Sequence, residues 1–402
     1  MLDAYIYDGL RSPIGRHAGK LASLRPDDLA GEVIKEVVAR NKISPDDISD
    51  VVLGCVTQAG EDCRNVARFA ALLAGLPPTT PGVTVNRLCA SGLQAVVDSA
   101  RAVTCGEGDL YVAGGVESMT RAPYVMAKAD SPYSRDVKMY DATIGSRFPN
   151  SRFTRQYGDH SMPQTGDNVA RDFGITREQA DEFALASQQK YAKAEAEGFY
   201  RGEILPVALP ARKKDAPPAT VDADEHPRRD STMEALAKLK PLFEGGVVTA
   251  GNASGVNDGA AALLVASRAW GEKNGKQPIA RVLSAASAGV EPRIMGVGPA
   301  YAIPRALERA KLALKDMDII EINEAFASQV LGCLKLMNVD FKDPRVNPNG
   351  GAIAIGHPLG CSGARLALTV ARELRQSGGR YAAVSLCIGV GQGLAVILER
   401  TQ

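Results

Sequence analysis

The sequence predicts an α/β protein made of two similar halves with a more irregular segment between them. Short β-rich runs alternate with helical patterns over residues 1–120 and again over 278–402. The stretch "ISPDDISDVVLGC" (43–55) is echoed by "LALKDMDIIEINE" (312–324), each a helix end, an acidic turn and an apolar strand. At 402 residues the chain also exceeds what one hydrophobic core organises.

In the first half, Val51–Leu53, Val83–Val85 and Leu110–Ala113 read as strands. Residues 121–250 are more polar, hold most of the Arg, Pro and Tyr clusters, and carry one clear helix near 176–197. The last region regains the small-residue texture, with strands expected at 381–387 and 394–398 around a glycine turn. The spacing of Asp50 and Asp318, 268 residues, carries Cys89 onto His357, so the repeat pairs two chemically interesting positions.

Bulk composition narrows the function class. A 45% hydrophobic, 23% charged chain is an ordinary globular protein, and Lys+Arg 47 against Asp+Glu 46 argues against a nucleic-acid or membrane-surface partner. Seven cysteines without regular spacing suit reduced thiols, and no Cys/His cluster has zinc-site spacing, so no metal is expected. The stretch "MLDAYIYDGLRSPIG" reads as strand then turn rather than a secretory leader, and no apolar run approaches about 18 residues. A soluble, cytoplasmic protein is the expectation.

Cys89 lies in "VTVNRLCASGLQ", where the alternation of Val83 and Val85 gives way to the helical spacing of Leu93, Val96, Val97 and Ala100. A thiol just before or in a helix's first turn meets free N–H groups and the positive dipole end, which favour a thiolate. Alone, it reads first as a packing cysteine. His357 sits in "NPNGGAIAIGHPLGCSGARLALTV", between a glycine run and a helix, where an imidazole serves as a base or as a helix cap. Cys387 ends a β-rich run beside the turn "CIGVGQG", as an acid/base thiol or a buried strand cysteine. Asn323 follows a strand in "EINEAFASQ", able to hold a water, polarise a carbonyl or cap a helix. No GxGxxG follows a strand and no GxxxxGK[ST] is present, so nucleotide-binding readings lack support. The basic runs "ARKKD" (211–215) and "HPRR" (226–229) read as solvated surface able to attract phosphates.

Taken together, "NRLCASG", "NEAFA", "NPNGGAIAIGHPLGCSGAR" and "CIGVGQG", in this order, resemble the thiolase family over essentially the whole chain, as do "ESMTRAPYVM", "VDADEHPR" and "VTAGNASGVNDGAAA". The resemblance implies a five-layered α-β-α-β-α fold. Its two similar α/β domains would be 1–120 with 251–277, and 278–402, with a loop domain at 121–250 for coenzyme A and oligomer contacts. It implies Cys89 as acyl-carrying nucleophile, His357 as its base, Cys387 as acid/base, and Asn323 and Gly389 at oxyanion sites. It carries over coenzyme A contacts to Met162, Arg228, Phe243, Ala250, Ser254, Met295 and Phe326. One departure is Ser161, where several short-chain thiolases have a histidine; His160 comes one residue earlier.

The partners implied are acyl-CoA substrates and further copies of the chain, as a tetramer or dimer, with coenzyme A as co-substrate and no bound cofactor. "AGEDCRNVARFAALLAGLP" and "SRDVKMYDATIGSRFPN" look most like the 3-oxoadipyl-CoA thiolases of aromatic-acid breakdown. Their substrate ends in a carboxylate, for which Arg135, Arg147 and Arg152 are the candidate cations. The alternatives are an acetyl-CoA acetyltransferase, a general 3-oxoacyl-CoA thiolase, and a non-catalytic acyl-CoA or lipid binder of the same fold.

Overall fold

The computed structural model describes residues 1–211 and 219–401. Most of the basic run at 211–215 therefore lies outside the described residues. The first half contains β1 (Ala4–Arg11), α1 (Pro26–Arg40), β2 (Asp50–Gly54), α2 (Val66–Leu73), β3 (Gly82–Val85), α3 (Ser91–Cys105) and β4 (Leu110–Ser118). The middle segment adds α4 (Met162–Phe173) and α5 (Arg177–Ala196), and β5 (Asn257–Ala266) returns to the first half. The second half runs β6 (Ala280–Gly289), α6 (Gly298–Ala310), β7 (Ile319–Ile322), α7 (Ala327–Leu336), α8 (Leu359–Ser377), β8 (Tyr381–Ile388) and β9 (Gln392–Arg400).

The long strands hydrogen-bond in the order β7-β8-β9-β6-β1-β5-β4-β2-β3. At the centre, β1 and β6 join antiparallel through only three pairs, Ala4 with Val282, Tyr5 with Arg281 and Ile6 with Ala280. Outward from that seam both halves repeat one pattern, two antiparallel pairings and then a parallel one. The first half closes with β3 parallel to β2, and the second with a parallel bridge from Ile320 to Val346. This is the duplication anticipated from the echoed segments.

Strands such as β4 and β5 are buried at every position, which is why they read as unbroken small and apolar runs rather than alternating ones. Three cores explain the layers. One lies between α1, α2 and the outer face of the first half. A second lies under α6 and α7 on the second half. The third surrounds α3 and α8, sandwiched between the two halves. The order is thus α-β-α-β-α.

The middle segment shares these cores. Ala170, Phe183 and Ala184 pack with the second half's outer core, and Tyr191, Phe199 and Tyr200 with the central one. A buried ion cluster pins it further: Arg11 of β1 meets Glu203 at 2.7 Å and Asp224 at 2.6 Å, with all three side chains sealed from solvent. Removing one partner of such a cluster leaves a buried charge uncompensated, a loss of about 3–5 kcal/mol.

Glycine decides how closely the two central helices approach. A Cβ on Gly92 of α3 would lie 2.6 Å from the Gly360 carbonyl oxygen, and one on Gly363 of α8 would lie 2.2 Å from the Leu93 nitrogen. The backbones touch, so the N-terminal ends of α3 and α8 meet.

Cys89 lies just before α3, which begins at Ser91, within the placement expected of it. Two local expectations need correcting. The last hairpin runs further than expected, to Ile388 and from Gln392, because its register continues through Cys387 with Gly393. Asn323 caps no helix, since α7 begins at Ala327 with Phe326 at its N-cap.

Candidate active site

Strand β3 ends at Val85, and a tight turn brings the chain into α3. The Asn86 side chain accepts the Leu88 N–H at 2.9 Å. The Ser91 hydroxyl accepts the Arg87 N–H at 2.9 Å and donates to the Leu88 carbonyl at 2.7 Å. Leu88 is held at a φ of 45°, a left-handed conformation uncommon for a branched side chain. Cys89 follows this restrained turn and is 9% exposed. Burial pushes its thiol up, while the nearby N–H groups of Gly389 and of Cys89 itself pull it down. A charge developing there meets two backbone donors.

Cys387 is fully buried near the end of β8, its thiol raised by burial and by the neighbouring Cys89 and Cys333. It packs in a small apolar cluster with Val248, Ala253, Met295, Ala325 and Phe326, flanked by Met162. The turn after β8 is tight, with Val390 at φ 65° and Gly391 at φ 86°. Gly389 sits where a Cβ would come 3.3 Å from Leu88 and 3.9 Å from the Met162 sulfur. The structure thus brings Cys89, Cys387, Gly389, Met162, Met295 and Phe326 together.

His357 lies two residues before α8, as Cys89 lies two before α3. Its Nδ1 is 2.7 Å from the Ser362 hydroxyl, which itself donates to the Pro358 carbonyl at 2.9 Å. That commits the hydroxyl proton, so Nδ1 carries the ring proton and Nε2 is left bare. Nε2 faces the Asn323 side-chain amide at 3.3 Å, and the His357 N–H donates to Asn257 at 2.9 Å. Burial, with Arg365 nearby, lowers this imidazole to about 3, so it rests neutral with Nε2 as a proton acceptor. Asn323 is fully buried, and its carbonyl oxygen finds no partner among the described residues.

Glu117 escaped the sequence reading, although "GGVESM" ends an otherwise apolar strand with a charge. Its sealed carboxylate accepts the N–H groups of Val56 at 3.0 Å, Thr57 at 2.9 Å and Gly360 at 2.9 Å. Burial raises it to about 6 against those donors. It straps the turn after β2 to the start of α8. Ligand atoms of Cys55, Asp62 and Glu117 lie within 4.8 Å of one another, but the thiol already donates to Asp62 at 3.5 Å and Glu117 is saturated by backbone.

The other expected contacts divide. Arg228 and Ala250 line one cavity of about 230 Å³ with His226, Leu236 and Leu239. Ser254 donates its N–H to Ala325 at 2.9 Å, beside the Cys387 cluster. Phe243 stands apart, exposed on a neighbouring groove with His160 and Asp167. Ser161 occupies the N-cap of α4 and donates its N–H to Gln164 at 2.8 Å. Arg135 and Arg152 are exposed, whereas Arg147 is half-buried.

Two abutting α/β halves, with a cysteine at one helix entry and a histidine at the matching entry, define a duplicated thiol-bearing acyl-transfer architecture. Residues 4–269 match the model for the thiolase N-terminal domain, and 276–400 that for the thiolase C-terminal domain. The chain is 55% identical over 402 residues to the 3-oxoadipyl-CoA/3-oxo-5,6-dehydrosuberyl-CoA thiolase of Escherichia coli strain K12, covering 100% of both. It is 55% identical over 400 residues to the β-ketoadipyl-CoA thiolase of Pseudomonas aeruginosa, covering 99% of each. It superposes on the crystal structure of the Bacillus anthracis acetyl-CoA acetyltransferase with a TM-score of 0.92 at 38% identity, covering 100% of this chain and 99% of that one. Human mitochondrial 3-ketoacyl-CoA thiolase gives 0.91 at 38% identity with the same coverage. The chain belongs to the thiolase family.

Proposed function

We propose that this protein cleaves 3-oxoadipyl-CoA with free coenzyme A into succinyl-CoA and acetyl-CoA through an acyl-cysteine intermediate. Full-length relatives at 52–55% identity named for 3-oxoadipyl- or β-ketoadipyl-CoA support the substrate. The observation that carries the reaction is the gathering of the Cys89 turn, Gly389 and Cys387 around Met162.

Cys89 gives its proton to Nε2 of His357 as its sulfur attacks the keto carbon. Both groups resist charging alone because burial penalises isolated charge, so transfer and attack proceed together, and the thiolate–imidazolium pair is neutral overall. The N–H groups of Cys89 and Gly389 hold the tetrahedral oxyanion, and each such donor contributes roughly 100- to 1000-fold. The carbon–carbon bond then breaks, its electron pair forming the enolate of acetyl-CoA, which takes a proton from Cys387. Asn323 and His357 stabilise that enolate oxygen. Coenzyme A then attacks the acyl-Cys89 as the Cys387 thiolate takes its thiol proton, and the His357 imidazolium returns its proton to the departing Cys89 sulfur. Coenzyme A is co-substrate, and no bound cofactor enters.

Met162, Met295 and Phe326 form the apolar wall at the thioester, with Ser254 beside it. Arg228 and Ala250 hold the more distant part of coenzyme A in the adjoining cavity, and Phe243 closes over it from outside. The segment 121–250 acts as the loop domain between the units 1–120 with 251–277 and 278–402. The protein acts as a homo-oligomer, in keeping with the sheet-edge strand β3 and the exposed Phe69, Leu72, Leu73 and Val83 beside it. Among the described residues no helix is long and apolar enough to cross a membrane.

The test is kcat/KM for thiolysis of 3-oxoadipyl-CoA against acetoacetyl-CoA, with mass spectrometry of the trapped intermediate. A succinyl group on Cys89 and a preference for 3-oxoadipyl-CoA are expected. A preference for acetoacetyl-CoA would move the assignment to an acetyl-CoA acetyltransferase.

A further inference from the structure

The three arginines considered for the substrate's carboxylate stand in different settings. Arg135 lies in the exposed stretch between the short strands Tyr124–Met126 and Met139–Asp141, and Arg152 on the exposed helix Ser151–Tyr157. Arg147 is half-buried, with Nη1 3.4 Å from the Thr57 carbonyl oxygen.

Thr57 belongs to the frame of the site. Its N–H and that of Val56 end on Glu117, whose carboxylate also takes the Gly360 N–H, three residues after His357. The Val56 carbonyl accepts the Asn86 side-chain amide at 3.2 Å, and the Cys55 N–H donates to Val85 at 3.2 Å. One turn is therefore tied both to the loop carrying Cys89 and to the helix entry carrying His357, and Arg147 rests on that turn.

Other nearby cations are engaged. Arg25 and Arg121 share Glu61, and Arg87 donates to Gln94 and Gln392. Among the described residues Arg147 forms no ion pair, and one contact to a carbonyl leaves most of its five N–H donors unused. A half-buried guanidinium without a counter-anion is costly, and its planar fork matches a carboxylate.

We infer that Arg147 reads the far carboxylate of the substrate, the group that distinguishes a dicarboxylic 3-oxoacyl-CoA from acetoacetyl-CoA. This rests on the proposed function and names the residue that sets its specificity. The test follows the ratio of kcat/KM for 3-oxoadipyl-CoA to that for acetoacetyl-CoA in Arg147→Ala and Arg147→Lys, beside Arg135→Ala and Arg152→Ala.

In Arg147→Ala the ratio should fall roughly 10- to 100-fold, the scale of one lost charge-assisted hydrogen-bonded pair. Arg147→Lys should fall between this and the parent, because charge survives without the fork. The two exposed arginines should move the ratio by less than about threefold, as solvated charges do. A ratio unchanged in Arg147→Ala, or a selective loss at Arg135 or Arg152 instead, overturns the inference. A parent protein that already prefers acetoacetyl-CoA would count against the proposed function. A parent that prefers 3-oxoadipyl-CoA and keeps that preference without Arg147 counts against Arg147 alone. If Arg147→Ala is too unstable to assay, Arg147→Lys and Arg147→Met decide by the same ratio.

Discussion

Gly92→Ala probes the contact on which the site depends. The new Cβ would stand 2.6 Å from the Gly360 carbonyl oxygen and 2.8 Å from the Ala364 nitrogen, both backbone atoms of α8 or its first turn. Carbon meets such atoms comfortably near 3.5 Å, so the two helices must separate by about 0.9 Å. Retreat toward β2 is closed, because Gly54 has no room even for its own Cβ, which would lie 2.3 Å from the Gly92 nitrogen. Overpacking of this kind costs about 1–3 kcal/mol, and rigid backbone on both sides puts this case at the upper end. The same shift parts the helix entries that carry Cys89 and His357, and a displacement near 1 Å costs roughly 100-fold in rate. Urea unfolding should show a lower midpoint at unchanged slope. Thiolysis should show a kcat reduced far beyond any change in KM. A variant within about 0.5 kcal/mol of the parent and within about twofold in kcat would refute the idea that this contact sets the site.

Asn323→Ala should lower kcat by roughly 100-fold with little change in KM, because in the proposed reaction the amide acts where charge develops on the enolate; steady-state thiolysis checks it. Folded His357 titrates near 3 instead of 6.5, so below pH 6.5 the unfolded chain gains a proton that the folded one refuses. Stability from this group is complete above pH 6.5 and lost on acidification, by up to roughly 1.4 kcal/mol per pH unit. His357→Asn should flatten the pH dependence of unfolding free energy between pH 6.5 and 4, and an unaltered slope would contradict the assigned burial. Val390 holds a left-handed φ of 65° that asparagine adopts more easily than a β-branched residue. Val390→Asn should stabilise the protein by about 1 kcal/mol, read as a raised Tm.

Some of the site was legible in the chain because its signals are local. Cys89 and His357 each precede a helix opened by small residues, and their matching places in two echoed segments were visible without coordinates. Cys387 was legible through the glycine turn behind it. Glu117 was not, since a lone carboxylate in an apolar strand does not reveal that its partners are the N–H groups of Val56, Thr57 and Gly360. Ser362 was equally hidden: it fixes the His357 tautomer through a hydroxyl whose own proton goes back to Pro358. Asn323 also read as a helix cap because Asn favours that position ahead of a helix opening at Ala325 and Phe326, and only the helix start at Ala327 removed that role.

The sequence by itself determined the duplication, the layered α/β class and the chemical types of the candidate site groups, because periodicity and side-chain type are properties of short segments. Tertiary structure decided which groups share one space. Gly92 and Gly363 are ordinary small residues in a string of letters, and they become the point where two helices from different halves touch. The same holds for Arg135, Arg147 and Arg152, three equivalent cations in sequence. Their environments differ because burial and hydrogen-bond partners come from residues far away in the chain, and in this fold only Arg147 rests on the frame that holds Cys89 and His357.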